Sequence, residues 1–112
     1  MDITLIRSVD LVAVEQADST VADLRLAQAL ADAAAGCMAA CFDLGVAFST
    51  GSQNAECDLI EAHKWFNIAA VGGHDEAKQC RADVAEEMTA REIAEAQRRA
   101  REWICANARK AA

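Results

Sequence analysis

Between Phe42 and Ala77 the chain reads FDLGVAFSTGSQNAECDLIEAHKWFNIAAVGGHDEA, two helix patterns separated by a polar loop and closed by Gly72-Gly73. The start of the unit then recurs. Gly36-Cys37-Met38-Ala39-Ala40 superposes on Gly73-His74-Asp75-Glu76-Ala77, an offset of 37 residues. A single helix-turn-helix unit cannot bury its apolar face alone and is built to stack on neighbours. The expected class is therefore all-α: an α-α superhelix, or short solenoid, of antiparallel helical hairpins.

Composition agrees with close-packed helices. The 112 residues suit one small domain, proline is absent, and alanine dominates the apolar content. Alanine costs least to place in a helix and lets helix axes approach. The first secure helix begins near Asp18-Ser19-Thr20, any of which can cap it, and ends at Gly36. A second runs from about Cys37 to Phe48 and stops before Gly51. Asp58 starts the third, with Glu61 at capping-box spacing, and it reaches about Ala70. Asp75 opens a fourth, to about Glu87, and Thr89 with Glu92 caps a fifth that reaches about Asn107. Residues 1–17 form an uncertain N-terminal segment. Ile3, Leu5, Ile6, Val9, Leu11, Val12 and Val14 fit a short strand, an apolar tail on the bundle, or an early helix. Residues 18–112 are read as one helical-repeat domain, with its best unit at 36–72 and a capping hairpin at 73–109.

Charge narrows the partner classes. The formal net charge is −7, and residues 1–56 carry eight acids against two arginines. Phosphate neutralisation needs a basic surface, so nucleic acid is not expected as a partner. No run approaches the ~18 continuous apolar residues that a membrane-spanning helix needs. Five cysteines, an odd number without regular spacing, do not make a disulfide framework, and the N-terminus lacks a secretory pattern. A reducing cytoplasm is the simplest location.

Several residues of the unit form one pattern: Ala40, Leu44-Gly45, Phe48 and Gly51, then Asp58, Ala62, Trp65-Phe66, Ala69-Ala70 and Gly73. The pattern resembles the Sel-1-like repeat, a tetratricopeptide-related helical hairpin. These positions, with Ala77, are read as repeat packing. Gly45 is small where the two helices touch, and Trp65 and Phe66 fill the space between stacked hairpins. The second unit departs from the pattern, with Arg81 in the place of Leu44 and Ala82 in that of Gly45, which suits a polar-faced cap.

The resemblance implies that the first helix of each unit lines a concave face. By position, Ala39, Phe42, Val46, Ser49 and Thr50 then line it in the first unit, and Glu76, Gln79, Asp83, Glu86 and Glu87 in the second. Members of this family commonly act as adaptors. The implied function is a non-catalytic protein-protein interaction module whose groove takes a peptide or partner with a hydrophobic anchor and basic residues.

The other class of reading uses Cys37 and Cys41, four residues apart on one helix face. With His63, His74 or Cys80 they would make a small metal- or redox-responsive regulator. No second close-spaced ligand pair completes such a site, so neither metal nor cofactor is expected. Catalysis is not expected either, because no serine or cysteine motif accompanies His63 or His74. The C-terminal helix from Thr89 is locally basic, with six bases and three acids to Ala112. Its meeting with the acidic front of another copy leaves a homo-oligomer open.

Overall fold

Two glycines set the rhythm of the chain. Gly36 and Gly73 adopt φ of 99° and 100°, a left-handed conformation that ends a helix with little cost only at glycine. At both, the carbonyls of the finished helix are closed in the same way. Gly36 N donates to Ala33 O and Cys37 N to Asp32 O; Gly73 N donates to Ala70 O and His74 N to Ala69 O. The following residues, Cys37 (φ −80°, ψ 108°) and His74 (φ −80°, ψ 107°), cap the next helices with matching extended backbones.

The computed structural model describes residues 20–52 and 55–111. Within them the protein is all-helical, without a strand: α1 (residues 20–34), α2 (Met38–Thr50), α3 (Leu59–Val71), α4 (Asp75–Ala85) and α5 (Ala90–Ala111). The N-terminal segment 1–17 lies outside the described residues.

Local chemistry explains most boundaries. Helix α2 runs on to Thr50, past the Phe48 expected from the pattern, until Gly51 (φ 73°) donates to Ala47 O. Asp58 caps α3 by accepting from Ile60 N and Glu61 N. The return half of that capping box is not made. Asp58 N donates to Phe48 O instead, and the Glu61 carboxylate binds Lys64 and Arg99. Around Thr89 the box is complete: Glu92 N donates to Thr89 Oγ1 and Thr89 N to Glu92 Oε1. Helix α4 stops at Ala85, short of the expected Glu87, and Glu86, Glu87 and Met88 unwind through backbone bonds to Ala82, Val84 and Ala85.

Helix α3 is the centre of the packing and meets α2, α4 and α5. Seven of its residues are buried, among them Ala62, Trp65, Phe66, Ile68 and Ala69. Leu44 and Cys41 of α2, Ala77 and Val84 of α4, and Ala100 of α5 complete the core around it. Full burial of a side chain such as Phe66 contributes about 1.5–3 kcal/mol. Trp65 and Trp103 meet edge to face at 5.4 Å, which fixes α5 across α3. Polar clamps flank the core: Arg81 Nη1 donates to Asn67 Oδ1 at 2.6 Å, and Arg99 Nη1 to Glu61 Oε2 at 3.3 Å. Helix α1 joins the core through Ala33, Leu26 and Ala29, and Asn107 of α5 donates to Ala34 O at 3.1 Å.

Candidate partner-binding face

Helices α2 and α4 are tied together by one stacked pair. The Phe42 ring lies 4.4 Å from the His74 imidazole at an interplanar angle of 14°, and 5.7 Å from Phe66 in a tilted contact. His74 serves twice, because its Nδ1 also accepts from Ala77 N and so caps α4. The turn between Gly73 and Asp75 thus places the start of α4 against the middle of α2. The sequence offered His74 only as a candidate metal ligand or catalytic group; histidine is an uncommon helix cap, and nothing in the local pattern points to the stacking.

Phe42 is therefore half-buried, held between Phe66 and His74. Ala39 and Val46 are exposed beside it. Ser49 Oγ donates to Val46 O at 2.9 Å, and Thr50 Oγ1 lies 2.9 Å from the same carbonyl and 3.1 Å from Ser52 Oγ, so both hydroxyls find their partners locally. Glu76, Gln79 and Asp83 on α4, and Glu86 and Glu87 in the turn that follows it, are all exposed. Gln79 Nε2 donates to Asp83 Oδ1 at 2.9 Å, and none of the four acids forms an ion pair among the described residues. Their field reaches the neighbouring thiol: burial first, then Asp83 and Glu76, push the Cys80 pKa up.

The charges of α5 are arranged in the opposite way. Arg98 binds Glu95 and Glu102, and Arg99 binds Glu95 and Glu61. Hydrogen bonds from Arg98 and then Arg99 hold the Glu95 carboxyl down at about 2. Arg98 and Arg99 of the basic helix are thus neutralised within the fold, whereas the four acids on and after α4 form no ion pair among the described residues.

The cysteines and histidines do not converge. Cys37 lies outside α2 as its exposed N-cap, while Cys41 is fully buried, so the two do not share the helix face that their spacing suggested. Burial first, then Cys37, push the Cys41 thiol up to about 11, which opposes thiolate chemistry. His63 is 3% exposed, its Nδ1 makes no hydrogen bond among the described residues, and burial followed by the Arg81 charge lowers its pKa. Among the described residues no three His, Cys, Asp or Glu side chains come together as a metal site.

An apolar cavity of about 300 Å³ opens where the ends of α1 and α3 meet α5, lined by Ala34, Met38, Val71, Trp103, Ile104 and Asn107. Sequence reasoning missed it because its walls come from four helices and two turns. The one local signal is Gly72: a side chain there would collide with Met38, which lies directly on it.

Comparisons with protein-family models, with curated proteins and with solved structures return no match for this chain. Among the described residues no helix is long and apolar enough to cross a membrane.

Proposed function

We propose that this protein is a non-catalytic interaction module, a short stack of Sel-1-like helical hairpins whose α2–α4 side receives a partner peptide carrying an apolar anchor and basic residues. The observation that carries the reading is the contrast between α4 and α5. Salt bridges hold Glu95, Arg98, Arg99 and Glu102 of α5, while Glu76 and Asp83 on α4 and Glu86 and Glu87 just beyond its end are exposed and form no ion pair among the described residues. Unneutralised acids on and after α4, with exposed Val46 on α2, suit a basic, amphipathic ligand, with charge setting approach and apolar contact setting residence. The matching turns at Gly36 and Gly73 support the reading of the chain as stacked units.

The test uses labelled peptides that carry one aromatic or aliphatic anchor followed by lysines or arginines. Their binding is followed by fluorescence anisotropy at low and high salt. Binding is expected to weaken as salt rises and to fall at least ~10-fold in an Asp83→Lys/Glu87→Lys variant. Equal affinity of wild type and variant, with no salt dependence, overturns the assignment.

A further inference from the structure

The apolar cavity of about 300 Å³ lies where α1 and α3 end, against the start of α2 and the last turns of α5. Close-packed interiors leave few voids larger than a water molecule, so an opening of this size has its own shape to explain. Its walls are held from both sides. Trp65 and Trp103 fix α5 across α3, and Asn107 ties the same helix to Ala34 O. Ile68 is fully buried in the core, whereas Trp103 and Ile104 pack on it and stay half-buried, and Val71 is 66% exposed. Met38 is the adaptable wall, because an unbranched thioether reshapes around what it contacts. No residue of the lining carries a charge.

We propose that this cavity is a binding site for a small, neutral, apolar molecule of about two fused rings. Volume sets the size: an apolar cavity of about 150 Å³ holds benzene, so twice that space suits about ten non-hydrogen atoms. Charge complementarity sets the polarity. An ion among these uncharged walls would lose its water without gaining a partner, whereas apolar carbon gains burial against Trp103 and Ile104. Asn107 adds one polar handle. Its Nδ2 donates to Ala34 O at 3.1 Å, which leaves Oδ1 to accept from a ligand hydroxyl or ring N–H. Size also favours a small molecule over a protein. Clefts of about 300–1,000 Å³ enclose single small molecules, whereas stable association of separate chains uses roughly 800 Å² of surface per partner. The site is separate from the α2–α4 side and does not depend on the function proposed there.

The test is a titration of the full chain with 2-naphthol, a neutral two-ring probe with one hydroxyl donor, followed by two-dimensional amide NMR. Naphthalene-2-sulfonate is its charged counterpart. 2-Naphthol is expected to bind saturably, with a dissociation constant of roughly millimolar or tighter, and to shift the amides of Ala34, Val71 and Ile104. The sulfonate is expected to bind at least ~10-fold more weakly. Val71→Asp adds a charge to the wall, and Ala108→Leu fills space; both positions are exposed. Each is expected to weaken 2-naphthol at least ~10-fold without moving the urea midpoint. Shifts that fail to saturate or that scatter away from the lining overturn the proposal, as do equal affinities for the two probes or binding that survives both substitutions. Contacts from another segment of the chain to Trp103 in the free protein, or self-association that covers the same residues, also overturn it by naming a different occupant. Should Ala108→Leu disturb folding, Val71→Asp decides alone.

Discussion

A methyl group on Gly45 would lie 2.5 Å from Cδ1 and Cε1 of Phe66, so α2 and α3 touch at a point where no larger residue fits. Phe66 is 2% exposed and has no room to yield. Gly45→Ala is therefore expected to destabilise the fold, although alanine is the better helix former. Overpacking of this kind costs about 1–3 kcal/mol, against a propensity gain of up to about 1 kcal/mol. Urea unfolding checks the sign. Gly45→Ala combined with Phe66→Leu should lose less than the two single changes together, because the smaller side chain relieves the collision.

His63 links stability to pH. Burial, and then the Arg81 charge on α4, favour its neutral form, so the folded-state pKa lies below the ordinary value of 6.5. The unfolded chain then binds more protons than the folded chain in the interval between the two values. Its contribution is complete above 6.5 and is lost progressively as pH falls below that value towards the folded-state pKa. Denaturant midpoints should decline across that window in wild type and flatten in His63→Leu. His74→Asn, which keeps a capping acceptor before Asp75, separates any part played by the second histidine.

Thiol labelling should divide the cysteines by place rather than by spacing. Cys37, Cys57 and Cys105 are exposed and are expected to react quickly in the native protein, with Cys80, half-buried, behind them. Cys41, fully buried and pushed up to about 11, should react only on unfolding. Mass spectrometry after brief alkylation checks this. Fast native labelling of Cys41, or a Cys37–Cys41 disulfide formed without unfolding, would revive the redox reading.

The reciprocal bonds between Thr89 and Glu92 start α5, the longest helix among those described. Thr89→Ala is expected to cost about 1 kcal/mol and to raise hydrogen exchange in the first turn of α5. The turns around Ala96 and Ala100, which are fully buried, should keep their protection. Thr89→Ser should restore most of the loss.

Short-range chemistry made the helices legible. Gly36, Gly51 and Gly73 stop three of them, and Asp58 and Thr89 start two; each of these acts on backbone groups within a few residues, so the pattern can be read without knowing the fold. The apolar stripe of α3 was legible for the same reason, since Ala62, Trp65, Phe66 and Ala69 recur at helical spacing and are buried together.

What the chain order could not convey is which side chains meet across helices. Glu61 has the spacing of a capping partner, yet Arg99 lies thirty-eight residues further on and draws its carboxylate away from Asp58. Phe42 stands at a position read as groove lining, yet His74 covers it. Cys37 and Cys41 are four apart, yet one sits outside the helix and the other in the core. Amino-acid order alone determined the all-helical class and, to within a few residues, where the helices begin and end, because caps and periodicity are local; α2 and α5 run on past the expected Phe48 and Asn107 to Thr50 and Ala111, and α4 stops at Ala85. Tertiary structure decided which acids stay unpaired, which histidine is buried and where the apolar cavity opens, because each depends on surfaces brought together only when α3 is enclosed.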